Sequence, residues 1–302
     1  MNELTRRSAL LAGSALLLSP LARADDAAKD FPALAALERQ AGGRLGVAVL
    51  DTVSGAQIGH RQHERFGMCS TFKLPLAGVI LKEVDQGRLK LAQWVPYGPA
   101  DMVSHAPVTT EHLPKGGMSV GALAEATQTT SDNVAANLLI QLIGGPAGMT
   151  ARLRELGDAH TRIDRLEPQM NLVPLGELRD TTTPAAMARS TARLLRSDWL
   201  SPASVDLLSR WMVATQTGSK RLRAGFPKDW RAGDKTGTAM APGMADKYND
   251  VAIAWPDAKH ALVIAAYYDG PGRHGRMRDE EQAVLAEVGR IAAAWWQALP
   301  RG

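Results

Sequence analysis

The two ends of the chain share one hydrophobic pattern, and the middle has another. Phe31, Leu34, Leu37 and Ala41 recur at helical spacing, and Gly42-Gly43 closes that helix. Leu45, Val47 and Val49 then alternate with small residues, and Val53-Ser54-Gly55 turns the chain into a second short strand near 56–62. Toward the other end, 230–238, 250–255 and 261–268 read as strands: Val251, Ile253 and Trp255 alternate with alanines, and Pro256-Asp257 marks a turn. A long final helix carries Val284, Val288, Ile291 and Trp295 on one stripe.

From about 70 to 214 the pattern is helical. Ala77, Ile80, Leu81 and Val84 form one stripe stopped by Gly87, and Val134, Leu138 and Leu142 form another, closed by Gly144-Gly145 and Pro146. Further helices fit 146–156, 184–196 and 201–214, whereas 161–183 is polar and has neither period. A loop of that length inside a compact unit is usually functional. Tight turns between the terminal strands make them antiparallel. The expected fold is therefore α/β and two-lobed: a five-stranded antiparallel sheet with terminal helices (25–65 and 215–302) and an inserted all-helical lobe (66–214) that includes the 161–183 loop. The cleft between the lobes is the place expected for a ligand.

With 45% hydrophobic and 22% charged residues among 302, the chain has ordinary globular composition, which excludes disorder and fibrous repeats. Residues 1–24 read as a signal peptide: Arg6-Arg7, an apolar run from Ala9 to Leu18, and Ala22-Arg23-Ala24 as a small-x-small cleavage site. That run is too short to span a bilayer. The expectation is a periplasmic or secreted protein with no membrane attachment once the leader is removed. The paired arginines also admit a twin-arginine route. Losing the leader takes three arginines and one glutamate from a net charge of +4, and no run of five basic residues occurs, so a nucleic-acid partner is not expected. Cys69, the single cysteine, cannot form an internal disulfide, and the expected state is a monomer. The histidines include His60-x-x-His63 but no His-Glu-x-x-His, so neither a metal nor any other cofactor is expected. The Gly-x-Gly-x-x-Gly match at Gly270, Gly272 and Gly275 has too little chain after it for a βαβ unit and reads as a turn.

Four short motifs could carry chemistry. Ser70 and Lys73, at i and i+3 where the first middle helix starts, share a face, so the amine can reach the hydroxyl beside free helix-terminal N–H groups. Ser131-Asp132-Asn133 opens another helix, where such residues commonly serve as caps. Lys235-Thr236-Gly237, followed by Thr238, lies on a strand bordering the cleft, suited to a carboxylate but equally to a protected sheet edge. Arg165, Glu167, Asn171 and Asp180 fall in the aperiodic loop, where each alone would be an ordinary solvated residue. Each motif by itself has this plain structural reading; all four in this order do not.

Together they form the signature of class A serine β-lactamases, and the chain resembles that family over nearly all of its length after the leader. The resemblance implies a hydrolase that opens the amide of penicillin- and cephalosporin-type antibiotics through an acyl-enzyme on Ser70. It implies an oxyanion site from the Ser70 and Thr238 N–H groups, proton relay by Lys73, and proton delivery by Ser131 to the lactam nitrogen. Asn133 would bind the substrate's side-chain amide, and Lys235, Thr236 and Thr238 its carboxylate, with Gly237 between them. Glu167 and Asn171 would position the deacylating water, and Arg165 and Asp180 would close the loop that carries them. Lys73 and Glu167 are both open as the acylation base. His105 stands at a cleft-wall position, Leu166 where a tryptophan is common, and Ala239 where the carbapenem-hydrolysing subgroup has the cysteine that bridges to the counterpart of Cys69. Arg221 with Thr238 resembles broad-spectrum members, and 240–246 looks long at the cleft edge. Pro75 predicts an irregularity in the Ser70 helix. The rival readings are a penicillin-binding peptidase, which lacks the Glu167 loop, and a penicillin sensor, which needs an anchor.

Overall fold

The computed structural model describes residues 30–300, so the leader expected over 1–24 lies outside the described residues. In chain order, α1 (Pro32–Ala41), β1 (Arg44–Asp51), β2 (Gln57–His60) and β3 (Phe66–Gly67) lead into α2 (Lys73–Asp85). The helical lobe continues through β4 (Trp94–Pro96), α3 (Pro107–His112), β5 (Gly117–Ser119), α4 (Val120–Thr129), α5 (Asn133–Leu142), α6 (Gly145–Glu155), β6 (Thr181–Thr182), α7 (Pro184–Arg196) and α8 (Pro202–Val213). The chain closes with β7 (Arg231–Ala239), β8 (Lys247–Trp255), β9 (Leu262–Asp269) and α9 (Asp279–Gln297).

The sheet runs β2-β1-β9-β8-β7, antiparallel throughout, and Val47↔Ala266 and Lys235↔Val251 fix its register. α1 and α9 cover one face, where Leu34, Leu45, Val49, Tyr248, Ile264, Leu285 and Val288 pack together. The other face joins the core of the helical lobe through Val251, Ile253, Val263 and Ala265. Because both faces are covered, the second half of β8, from Val251, and nearly all of β9 read as continuous apolar runs. β7 is left as the edge strand beside the helical lobe.

The structure corrects several sequence expectations. The strand expected over 250–255 begins at Lys247, because its polar first half, Lys247, Asn249 and Asp250, is buried by internal partners. In α5 Val134 is buried as expected, together with Ala135, Ala136, Leu139 and Ile140, but Leu138 and Leu142 are only half-buried; in α9 it is Trp296, not Trp295, that goes inside. The helical lobe also holds two small sheets, β3–β6 and β4–β5, and the helices α3 and α4, none of them expected. The 161–183 loop contains a 3₁₀ turn at Gln169–Asn171 and ends in β6. Gly270, Gly272 and Gly275 lie in the connection between β9 and α9, the turn expected for them.

Candidate active site

Ser70 sits in a 3₁₀ turn, Cys69–Phe72, directly ahead of α2 rather than within it. Pro75 in the first turn of α2 has no N–H to offer a preceding carbonyl, and the tighter 3₁₀ winding ahead of it accommodates that loss. α2 is buried nearly all round, so the turn that carries Ser70 is fixed to the core of the helical lobe. Asp132 caps α5 through Ala135 N (2.9 Å) and also accepts from Val108 N and Thr109 N (3.0 and 2.9 Å), tying α3 to α5. That leaves its neighbours Ser131 and Asn133 for the cleft. Of the five non-glycine residues with positive φ among the described residues, Cys69 (47°), His105 (58°), Ser131 (63°) and Asp180 (57°) are in or beside the site, the distribution expected when backbone strain is held for function.

These turns bring one cluster together. The wholly buried Lys73 ammonium donates to Ser70 Oγ (2.9 Å) and Ser131 O (2.9 Å), contacts Asn133 Oδ1, and lies 3.1 Å from Glu167 Oε1. Ser70 Oγ itself donates to Glu167 Oε1 (3.2 Å), and Asn171 Nδ2 donates to Glu167 Oε2 (2.5 Å). Burial pulls the Lys73 ammonium below the ordinary lysine range, and the neighbouring Glu167 carboxylate opposes this. Ser131 Oγ receives Lys235 Nζ at 3.1 Å and Lys73 Nζ at 3.4 Å. Both partners are donors, so the hydroxyl keeps its own proton to give. Lys235 is equally buried, and burial, reinforced by Lys73, lowers it to about 7.

β7 passes against the Ser70 turn at Gly237. A Cβ there would fall 2.7 Å from Met68 O and 3.1 Å from Ser70 N, so only glycine allows this approach. Asn249 Nδ2 holds the same turn through Gly67 O (2.9 Å) and Met68 O (3.0 Å). Arg221, 2% exposed, donates to Gly237 O (2.9 Å), Asn249 O (2.8 Å) and Thr238 Oγ1 (2.6 Å). It thus spends most of its donors on β7 and β8, and leaves the Thr238 hydroxyl proton free. Thr236 pairs with Thr217 (2.7 Å). A cleft of about 400 Å³ is lined by Ser70, His105, Ser131, Asn133, Asn171, Thr217, Gly218, Arg221, Thr236, Thr238, Met277 and Gln282. A larger open groove, about 820 Å³, between α2, the 196–202 turn and Trp255 contains none of these residues.

The loop under Glu167 is pinned at its neck and at its crown. Asp180 accepts from Asp164 N (2.8 Å), Arg165 N (3.0 Å) and Arg165 Nε (2.6 Å). Asn137, from α5, accepts from Glu167 N and donates to Glu167 O, both at 2.9 Å. Sequence reading missed Asn137, whose only signal is its place one turn after Asn133, and missed Thr217, Asn249, Met277 and Gln282, which carry no local motif. Leu166, half-buried, packs against the core of the helical lobe. Cys69 is a buried free thiol beside Ala239 and Met244, and burial pushes it up to about 12.

Comparison with known proteins places this geometry. The model of the β-lactamase enzyme family matches residues 29–296. The chain belongs to the class A β-lactamase family. It is 47% identical over 283 residues to β-lactamase L2 of Stenotrophomonas maltophilia, spanning 93% of this chain and 89% of that protein. It is 45% identical over 256 residues to β-lactamase FAR-1 of Nocardia farcinica, spanning 85% and 79%. Among solved structures, an ancestral class A β-lactamase aligns with a TM-score of 0.81 at 50% identity over 87% of this chain and 98% of the other. A β-lactamase from Xanthomonas campestris pv. campestris aligns with a TM-score of 0.81 at 47% identity over 87% and 96%. Like other members of the family, this protein is a serine hydrolase of β-lactams.

Proposed function

We propose that the residues take the following parts in that hydrolysis. Ser70 is the nucleophile. Its proton passes to Glu167, whose Oε1 it already faces, or to Lys73 in its neutral amine form, which burial favours. The lactam oxygen sits between the N–H groups of Ser70 and Thr238, on a turn and a strand that Gly237 lets approach. Ser131 hands its proton to the departing nitrogen and recovers one from Lys73 or Lys235, the two donors on its oxygen. The substrate carboxylate lies on Lys235, Thr236 and Thr238, with Arg221 acting through Thr238 more than directly. Asn133 and His105 flank the substrate's side chain.

The observation that carries this reading is the state of Asn171. Its Nδ2 holds Glu167, while its buried Oδ1 meets no donor among the described residues and is free to accept from a water poised on Glu167. A peptidase or sensor has no need of such a pair. The protein acts as an exported monomer, in the periplasm or outside the cell; among the described residues no single helix is long and apolar enough to cross a membrane. Quenching the enzyme with a slowly released β-lactam and mapping the peptides should find the whole-substrate mass increase on Ser70. An adduct on any other residue would overturn the assignment.

A further inference from the structure

Beneath the carboxylate-binding edge lie two acids that the reaction scheme does not use. Asp234 directly precedes Lys235 on β7, and Asp250 lies on β8 opposite Thr236, so the two are diagonal neighbours on one face of the sheet. Both are 0% exposed and within hydrogen-bond reach of one another. Asp250 Oδ2 accepts from Leu222 N (3.1 Å), but among the described residues no hydrogen bond satisfies Asp250 Oδ1 or either oxygen of Asp234. Arg223 Nε is 3.1 Å from Asp234 Oδ1 but poorly aligned for a hydrogen bond. Gly218 closes the remaining side, since a Cβ there would stand 1.7 Å from Asp234 Oδ2.

Two bare carboxylates placed this way would repel in a medium that screens poorly, with oxygens left unsatisfied. One proton between them turns repulsion into a charge-assisted O–H···O bond and leaves a single negative charge facing Arg221, Arg223 and Lys235. We propose that Asp234 and Asp250 share one proton at neutral pH, and that this pair is a positioning unit holding Lys235 and, through Leu222, Arg221 at the substrate-carboxylate edge. Both carboxyls are shifted upward, chiefly by burial, which agrees with a retained proton.

The direct test is infrared difference spectroscopy in light and heavy water. At neutral pH the wild type should show a protonated-carboxyl band that disappears in both Asp234→Asn and Asp250→Asn, because an amide N–H replaces the shared proton. Stability against pH gives a second reading. The raised pair contributes stability that is fully present at acid pH and lost as pH rises through its folded range. Stability of the wild type should therefore fall toward alkaline pH relative to Asp250→Asn. The positioning role rests on the carboxylate assignment above and is read separately: Asp250→Ala should raise KM for a penicillin about tenfold, and Asp250→Asn should restore most of it. Absence of the band from wild type, or its persistence in both Asn variants, would overturn the shared proton whatever the kinetics show. A KM unmoved by Asp250→Ala, with the band behaving as expected, would overturn the positioning role alone.

Discussion

At the scale of single residues, the cleft is organised by two lysines denied water. Lys73 and Lys235 are both wholly buried and both donate to Ser131, so each disfavours the charge of the other. For Lys235 the outcome is a free-enzyme value of about 7. An anionic substrate needs its charged form, which is lost as pH rises through that value. On the alkaline side, kcat/KM for a penicillin should therefore fall, by up to about tenfold per pH unit, and Lys235→Arg should remove that limb because guanidinium stays charged. Lys235→Ala should lower kcat/KM roughly ten- to a hundredfold, the equivalent of about 1.5–3 kcal/mol for one charge-assisted contact. Steady-state profiles of the three proteins check both statements, and a flat wild-type profile would contradict the first.

At the scale of elements, the site depends on close approach between pieces distant in sequence. Gly237→Ala would drive a Cβ into Met68 O and the Ser70 turn, backbone that cannot swing aside. The oxyanion site should open, with kcat/KM down about 10²-fold or more, the scale of one lost oxyanion donor. A variant within twofold of wild type would show that the two N–H groups do not act together. The loop neck is a second such joint. Asp180→Ala removes a buried acceptor of two backbone N–H groups and of Arg165, and should cost about 3 kcal/mol or more by urea unfolding. Asp180→Asn, whose amide oxygen can still meet both backbone donors, should cost distinctly less. Equal losses would place the stabilisation in the ion pair alone.

For the whole molecule, the sequence carried the outline well. Terminal strands closing one sheet around a helical insertion follow from period and turns, and Ser70, Lys73, Ser131, Glu167 and Lys235 all arrive in one cluster. What stayed hidden has physical reasons. α4 (Val120–Thr129) is rich in alanine and threonine and buried on most sides, so it shows no polar face to reveal its period. The β8 start at Lys247 was masked by polar residues whose partners, Asp269 on the neighbouring strand and the distant Ser70 turn, are not signalled by local sequence. Asn137 and the Asp234–Asp250 pair have meaning only in three dimensions. The central claim is that Glu167, held by Asn137 and Asn171, supplies the deacylating water in a site otherwise equipped to acylate. Replacing Glu167 with Ala and mixing the variant with a penicillin tests it most directly by mass spectrometry of the intact protein. A long-lived covalent adduct on Ser70 is expected in the variant, and rapid turnover without accumulation in wild type. A variant that turns over as fast as wild type, or a wild type that itself accumulates the adduct, would contradict it.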